Sequence, residues 1–222
     1  MLPGPGQVWT AFLKMAQSGQ LLAGTAVSLR RVLIGFLIAF FLAFILGAAA
    51  SAWPGWQEYY GPYLEFLRNV PPLSLIALLI LWFGIGETSK LIIIVLASFF
   101  PMFLNIRKGF SSCDEKLLEV GPAFGLNRRS RFLRIVLPHA LPDILVGMRI
   151  GLGYSWRAII GAEMIAAASG LGYLILDAQQ MSRSDKVIVG ILAIGLVGVL
   201  CDRLFLFLVR AVTHGGDDNG WN

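Results

Sequence analysis

The chain has 222 residues, of which 57% are hydrophobic and only 14% are charged, and its mean hydropathy is +0.74. Because soluble domains carry about 25% charged residues, this composition excludes an ordinary soluble protein and predicts a polytopic membrane protein. The net charge of +5 comes from basic residues that cluster beside apolar stretches, as in loops on the inner side of a membrane. We therefore expect no nucleic-acid partner.

The N-terminal segment, residues 1–23, carries four apolar side chains among polar ones, at Val8, Phe12, Leu13 and Met15. This pattern predicts a short amphipathic helix lying at the membrane surface. The first residues lack a basic region followed by an apolar core, so they do not form a cleavable signal.

Five apolar stretches are long enough to cross a bilayer, which takes about 20 residues. They form one transmembrane domain, 24–211, at residues 25–52, 64–83, 89–107, 139–168 and 186–210. Pro71 and Pro72 should interrupt the second span and Pro101 should kink the third, since proline removes a backbone donor. Residues 170–184 predict a glycine-led turn and a short helix outside the bilayer. Residues 212–222 are rich in Gly, Asp and Asn and predict a disordered tail.

The loop between the third and fourth spans, residues 112–138, sets the orientation. From Arg107 to His139 the sequence has seven basic and three acidic residues, and such an excess is typical of a cytoplasmic loop. Five spans then place the C-terminus in the cytoplasm and the N-terminus outside. Three basic residues count against this orientation, because they would lie outside without a neighbouring acid: Lys14, Arg30 and Arg31.

Local signals predict two helices within this loop. Ser112 and Glu115 have the spacing of a capping box, which begins a helix. Gly125 can adopt the left-handed conformation that ends it. Asn127 can cap a second helix, and Pro138 should stop that helix.

The same loop contains the spacing Glu119-x5-Gly125-x9-Ile135-x-Leu137-Pro138. This spacing resembles the EAA loop of ABC-importer permeases, the membrane subunits of ATP-driven uptake systems, with Val120 and Gly121 in place of the two alanines. The resemblance implies that the loop docks on an ATP-binding subunit. The residues expected to carry this coupling are Glu119, Val120, Gly121, Ala123, Phe124, Gly125, Ile135, Leu137 and Pro138.

Other motifs resemble one branch of these permeases, associated with uptake of nitrate, aliphatic sulfonates, taurine and bicarbonate, and also of thiamine precursors and riboflavin. They are Val70-Pro71-Pro72, Leu81 to Glu87, Gly147 to Gly153, Ala162-Glu163 and Gly170 to Tyr173. Members of this branch usually have one more span before the segment that matches Pro3. That span is therefore either absent or outside the given sequence.

The resemblance implies an all-α fold of the type I ABC-importer permease class, with about five transmembrane helices and cytoplasmic coupling helices. It also implies a homodimer around a central pathway in the bacterial inner membrane. Two cytoplasmic subunits would bind ATP and Mg, and an external or periplasmic substrate-binding protein would deliver the solute.

Three ionisable residues lie within the predicted fourth span: Arg149, Arg157 and Glu163. A charge at bilayer depth is costly, so each is a candidate for the translocation pathway. At about 100° per residue, Arg149 and Arg157 differ by about 80° around the helix and can both face one cavity, which would favour an anion. Interhelical pairing, contact with backbone carbonyls or snorkelling is the alternative for all three.

The sequence lacks a Gly-x4-Gly-Lys-Ser/Thr loop, so we expect no ATPase site and no bound cofactor in this chain. The predicted function is a permease subunit for a small anion such as a sulfonate, taurine, nitrate or bicarbonate. The alternatives are a permease for a thiamine precursor or riboflavin, a non-transporting assembly subunit, and a membrane-embedded enzyme that uses Glu163 with Arg157.

Overall fold

The computed structural model describes residues 3–53, 55, 57–114 and 125–212, and within these ranges all regular secondary structure is helical. The α-helices are α1 Pro5–Gln17, α2 Gln20–Ala52, α3 Gln57–Asn69, α4 Ile76–Phe83, α5 Glu87–Ser111, α6 Arg128–Arg131, α7 Leu137–Ala166, α8 Leu171–Gln180 and α9 Ser184–Val212. A 3-10 helix, Pro72–Leu75, precedes α4, and a π-helical turn, Phe132–Val136, joins α6 to α7. The predicted all-α class is confirmed.

Four stretches of the described chain are long and apolar enough to cross a bilayer: Gln20–Ala52, Glu87–Ser111, Arg128–Ala166 and Ser184–Ala211. The remaining predicted span, the second in chain order, is a pair of helical segments, Gln57–Asn69 and Pro72–Phe83, which meet at an angle of 83°. The interruption predicted at Pro71 and Pro72 is therefore confirmed. By contrast, α5 continues through Pro101, and the kink expected there stays a prediction.

Helix α5 lies at the centre of the bundle and packs along α2. The two helices run in the same direction, since Gly35 lies against Ile94 and Gly47 lies against Ile106. These contacts belong to a core in which the side chains of α2 and α5 interdigitate. Among its buried members are Val32, Phe36, Ala39, Ala43, Ile93, Ile94, Met102, Phe103 and Ile106.

Helix α7 packs against the other side of α5 in the opposite direction. Gly109 lies against Ala140 near one end of the pair, and Gly151 lies against Met102 further along. A Cβ atom on Gly151 would stand 2.6 Å from the Met102 Cγ atom, which no real contact tolerates. Small residues at this helix interface are therefore required by the short interaxial distance.

The amphipathic N-terminal helix is present as α1. Ala11 and Met15 are buried against Val189 of α9, whereas Trp9 and Phe12 remain exposed. A helix with one apolar side packed on the bundle and aromatic side chains facing outward fits a position at the membrane interface. The disordered tail predicted from residue 212 onward falls outside the described residues, except for residue 212 itself.

The loop helices agree with the sequence in part. Gly125 has φ +68°, which confirms its left-handed conformation, while the helix that it should end lies outside the described residues. The Asn127 side chain accepts a hydrogen bond of 2.8 Å from the Ser130 backbone N–H, which confirms the predicted cap. The prediction that Pro138 stops the second helix is wrong, because the helical backbone passes through it into α7. Proline is tolerated there because the first turn of a helix needs no N–H donor. The capping box of Ser112 and Glu115 lies partly outside the described residues.

Candidate functional site: the intramembrane charges

A buried ion pair joins α2 to α7. The Arg31 guanidinium donates a hydrogen bond of 2.8 Å to the carboxylate of Glu163. Arg31 is 3% exposed and Glu163 is fully buried. Two charges taken out of water stabilise a fold only when all of their hydrogen-bonding capacity is used, so the surrounding contacts decide what this pair contributes.

The guanidinium of Arg31 has a partner for each of its five N–H groups. Nε and Nη2 bind the Glu87 carboxylate at 2.8 and 2.6 Å. Nη1 binds Glu163 and the Ser169 carbonyl oxygen at 2.8 and 2.7 Å, and Nη2 also binds the Ser169 hydroxyl at 3.0 Å. Lys90 lies 2.9 Å from Glu87. The cluster thus contains two cations and two carboxylates and carries no net charge.

The carboxylate of Glu163 is equally satisfied. It accepts hydrogen bonds from the Ser28 hydroxyl at 2.8 and 2.9 Å and from the Gly172 backbone N–H at 3.0 Å. The Ser28 hydroxyl oxygen in turn accepts from the Leu171 N–H at 3.0 Å. The N-terminus of α8 therefore docks on Glu163 and Ser28, and a carboxylate at that end also favours the helix dipole.

The loop between α7 and α8 closes over this carboxylate. Gly170 has φ +112°, and a Cβ atom on it would stand 2.2 Å from the Glu163 Cδ atom. Only glycine satisfies both the backbone conformation and the space. We call Arg31, Glu87, Lys90 and Glu163, together with Ser28 and Ser169, the ion cluster.

Arg149 forms a separate pair with α9. Its Nε and Nη2 atoms donate hydrogen bonds of 2.9 and 3.0 Å to the two carboxylate oxygens of Asp202. This two-bond geometry is the strongest arrangement for an arginine and a carboxylate. Arg149 is therefore neutralised within the subunit.

Arg157 differs from the other two predicted residues of this span. It is exposed, its Nε atom donates to the Gly153 carbonyl at 3.2 Å, and its guanidinium lies 5.0 Å from the centre of the Tyr154 ring. Within the described part of the chain, no carboxylate lies within ion-pair distance of it. Nine residues separate it from Ala166, the end of α7, which is about 14 Å along the helix axis and close to half of a bilayer.

Two cavities meet at Arg157. The first, which we call the diproline cavity, has a volume of about 420 Å³ and is lined by residues that include Arg68, Pro71, Pro72, Phe100, Tyr154 and Arg157. The second, the α9 cavity, has about 400 Å³ and is lined by residues that include Arg149, Trp156, Arg157, Gly198 and Asp202. The expectation that Arg149 and Arg157 face one cavity therefore matches their positions around the α9 cavity.

A third cavity has a different character. It measures about 470 Å³, and its lining residues, among them Leu46, Trp53, Tyr60 and Phe99, include no charged side chain. Such a groove on the outer surface of the helices suits lipid chains rather than an ion.

The structure separates the three residues that the sequence grouped as a pathway. Glu163 is in the ion cluster, Arg149 is paired with Asp202, and Arg157 is exposed to two cavities. Their assignment to the pathway stays a prediction. An enzyme that uses Glu163 with Arg157 lacks geometric support, because every hydrogen bond found for Glu163 goes to Ser28, Arg31 or Gly172.

The sequence analysis did not predict the partners of Arg149 and Glu163, although the sequence contains signals for them. Asp202 is the only acidic residue in the predicted fifth span, and an intramembrane acid calls for a partner by default. Ser28 and Arg31 are three residues apart and so share a helix face. The objection that Arg31 lacks a neighbouring acid is wrong, since both Glu87 and Glu163 bind it.

The coupling residues lie partly outside the described chain, since Glu119, Val120, Gly121, Ala123 and Phe124 fall within 115–124. Of the rest, Gly125 forms a turn, Ile135 lies in the π-helical turn, and Leu137 and Pro138 begin α7. The ring of Phe132 lies 5.6 Å from that of Phe110, so the π-helical turn packs on the end of α5.

The chain is similar to a family of membrane transport proteins. Residues 35–214 match the family model described as "Binding-protein-dependent transport system inner membrane component". A Bacillus subtilis (strain 168) protein provisionally named an aliphatic sulfonates transport permease protein is 37% identical over 210 residues, which cover 95% of this chain and 76% of that protein. The taurine transport system permease protein of Escherichia coli (strain K12) is 34% identical, covering 96% and 80%.

A solved structure supports the architecture. One chain of a crystal structure described as an amino acid ABC transporter with histidines matches with a TM-score of 0.72, over 90% of this chain and 98% of that chain. The sequence identity is 16%, so this likeness concerns the fold alone.

Proposed function

Since this chain belongs to the family of binding-protein-dependent transport system inner membrane components, we propose that it conducts a small organic anion, such as an aliphatic sulfonate, across the membrane. The family makes it a multi-pass inner membrane protein and a permease subunit of an ABC importer. What remains to be assigned is the solute, the face that it passes and the way in which the movement of the partner subunits reaches that face.

The observation that carries the proposal is the exposed guanidinium of Arg157. An arginine at mid-span costs about 2.5–3.5 kcal/mol even on the lowest scales, and Arg157 has no carboxylate among the described residues to offset that cost. A water-filled pathway removes the penalty, and a passing anion gains from the charge. A heterocycle without negative charge, such as a thiamine precursor, would have no such gain.

The exposed surfaces of the other long helices contrast with this face. Between Leu33 and Leu46, helix α2 has no charged residue, and its exposed side chains, including Leu37 and Phe41, are apolar. Such a surface suits lipid. The side of α7 that carries Arg157 does not, which supports its assignment to the pathway between two copies of the chain.

The coupling loop and the pathway share one rigid element. The helical stretch Arg128–Ala166 comprises 39 residues, which is about 58 Å. It begins at the loop, passes Arg157 and ends beside Glu163. A partner that moves the loop would therefore tilt the whole stretch, and this supports coupling of ATP hydrolysis on two cytoplasmic subunits to reorientation of the pathway.

The charge distribution supports the proposed orientation. At the loop end, Arg128, Arg129 and Arg134 are exposed, as expected of a cytoplasmic side. At the opposite end, Arg31 and Lys90 are neutralised by two carboxylates. The C-terminus of α9 would then be cytoplasmic, and the α8 end would face the substrate-binding protein.

The test is uptake of ethanesulfonate into proteoliposomes that contain the permease with its ATP-binding subunits and binding protein. Arg157→Gln should lower the initial rate by roughly tenfold or more, the value of one charge-assisted hydrogen bond, while Arg157→Lys keeps a larger share. Arg30→Gln, on an exposed arginine of α2, should have no effect. An unchanged rate for Arg157→Gln would reject the proposal.

A further inference from the structure

We propose that the diproline cavity is the site at which the anionic headgroup binds during transport, held by Arg68 and Arg157 from two different helices. This inference rests on the proposed function, because it takes the cargo to be an anion. It adds a second cationic residue, a location and a ligand shape that the pathway assignment alone does not contain.

The two arginines approach the cavity from separate walls. Arg68 is the penultimate residue of α3, and Arg157 is in the middle of α7, while Phe100 and Leu104 of α5 line the cavity between them. No carboxylate is among the described residues that line it. Two cations that share a cavity repel each other when it is empty, and a single anion bound between them relieves that repulsion.

Arg68 is available for this role. Its only acidic neighbour in the described chain is Glu65, at 3.9 Å, and both side chains are largely exposed, at 48% and 71%. An exposed pair at that distance contributes little, so Arg68 can exchange it for a ligand. Arg149, by contrast, is held by both oxygens of Asp202.

Arg68 lies directly before the break in the second span. Helix α3 ends at Asn69, and Pro71 and Pro72 begin a segment turned by 83°. Non-helical backbone inside a bilayer is tolerated only where it is covered by protein or lines a water-filled cavity, and interrupted helices commonly form midplane substrate sites. The break and the exposed Arg157 thus point independently to the same wet cavity.

The remaining lining selects the rest of the ligand. Leu73, Leu96 and Phe100 are apolar, so they suit an alkyl chain while the arginines hold the charged end. The volume of about 420 Å³ suits a small molecule. The chemical class is therefore a short alkanesulfonate, including one with an amino group, rather than a bare inorganic ion.

A second cavity adjoins the diproline cavity on the side of the coupling loop. Arg68, Phe100 and Leu104 are shared with a neighbouring cavity of about 260 Å³, which Glu65 and Arg107 line as well. Arg107 lies seven residues beyond Phe100 on α5, about 10 Å nearer the loop end. An anion that leaves the diproline cavity on that side meets a third arginine.

The experiment is charge rescue in the assembled complex. In a background without Cys113 and Cys201, Arg68→Cys should lower ethanesulfonate uptake by about tenfold. Reaction with 2-(trimethylammonio)ethyl methanethiosulfonate restores a positive charge and should recover uptake severalfold. Reaction with 2-sulfonatoethyl methanethiosulfonate places a negative charge there and should lower uptake further. Arg30→Cys should respond to neither reagent.

A structural role for Arg68 would not depend on the sign of the attached charge. Uptake of Arg68→Cys equal to that of the parent, or equal recovery with both reagents, would overturn the inference. Arg68→Lys should retain most of the uptake and checks that the position tolerates substitution. If Arg157→Gln abolishes uptake while Arg68→Cys does not, only this inference fails; if the parent complex carries a neutral solute instead of ethanesulfonate, the proposed function itself fails.

Discussion

The carboxylate of Glu163 accepts a hydrogen bond from the guanidinium of Arg31 at 2.8 Å, although 132 residues separate them in sequence. Both side chains are buried, and Glu87 and Ser28 complete the arrangement. The ion cluster therefore ties α2, α5, α7 and the start of α8 together at one end of the bundle. The ion cluster stabilises the packing of these helices, whereas Arg157, six residues earlier in α7, lines two cavities.

The first prediction concerns the contribution of the ion cluster to the stability of the permease. Glu163→Gln removes one of the two carboxylates that neutralise Arg31 and leaves the buried guanidinium paired with Glu87 alone. Breaking a buried pair from one side costs up to about 3–5 kcal/mol. We expect a clear drop in the apparent Tm of the purified permease in detergent, followed by the fluorescence of a thiol-reactive dye or by light scattering.

The matched control is the pair of Arg183 and Asp185, joined at 2.8 Å, in which the Arg183 side chain is 49% exposed. Arg183→Gln should leave the apparent Tm unchanged, since exposed pairs contribute little. If Glu163→Gln and Arg183→Gln had the same apparent Tm, the ion cluster would not stabilise the fold.

The second prediction separates two costs of replacing a glycine with alanine: the strained backbone conformation and the steric clash of the added methyl group. Gly170→Ala places a methyl group 2.2 Å from the Glu163 Cδ atom at φ +112°, whereas Gly84→Ala meets nothing within 4 Å at φ +77°. Both variants should lose about 1–3 kcal/mol, because positive φ with ψ of 176° or 173° is a region that only glycine adopts readily. Only Gly170→Ala should also displace the carboxylate. The apparent Tm of Gly170→Ala should therefore be lower, and equal values would argue that α8 does not need Glu163.

The third prediction concerns the coupling loop. Gly125 has φ +68°, and no described residue lies within 4 Å of its Cβ position, so the requirement argued there is conformational. Gly125→Val cannot adopt this conformation, while Gly125→Asn can. In the assembled complex, Gly125→Val should lose most of the stimulation of ATP hydrolysis by loaded binding protein, and Gly125→Asn should keep it. Full stimulation in both variants, with normal assembly, would exclude the loop from coupling.

The fourth prediction concerns orientation. In a chain without native cysteines, Ser111→Cys at the end of α5 and Gln180→Cys at the end of α8 both place exposed thiols at opposite ends of the bundle. A membrane-impermeant maleimide should label Gln180→Cys in intact cells, and Ser111→Cys only after permeabilisation. The reverse pattern would invert the proposed orientation.

The native Cys113 is a poor reporter for that purpose. It is 8% exposed, and burial together with the Asp114 carboxylate raises the pKa of its thiol. Since the thiolate is the reactive form, its labelling rate should still be rising at pH values where that of Ser111→Cys has levelled off. If the labelling rate of Cys113 levelled off at a lower pH than that of Ser111→Cys, the raised pKa of the Cys113 thiol would be contradicted.

Much of the fold follows from local sequence. Apolar length predicts the spans, Pro71 and Pro72 predict the bend, and Asn127 predicts the start of α6, because each signal acts over a few residues. Pro138 was misleading for a physical reason: a proline that would break a helix interior is neutral in a first turn, and the π-helical turn before it supplies that start.

The site could be predicted less well. Composition shows that Glu163 and Arg157 lie in a span, but it does not show what faces them. The partners of Glu163 come from α2 and α8, and Ser28 is 135 residues away, so its burial is a product of tertiary packing. Arg68 lies within the predicted second span, so its charge was a signal, but its place in a cavity depends on the bend of the chain at the two prolines.

The most direct test of the account asks whether water and anion reach Arg157. Arg157→Cys is compared with Leu37→Cys. Leu37 is 48% exposed on the apolar face of α2. It lies at a similar height along the bundle, because Gly35 lies against Ile94 and Leu96 lines the diproline cavity. In the assembled complex, a charged methanethiosulfonate should modify Arg157→Cys but not Leu37→Cys, and ethanesulfonate delivered by the binding protein should slow the reaction. Equal rates at both positions, or no reaction at Arg157→Cys, would contradict a water-filled anion pathway at this face.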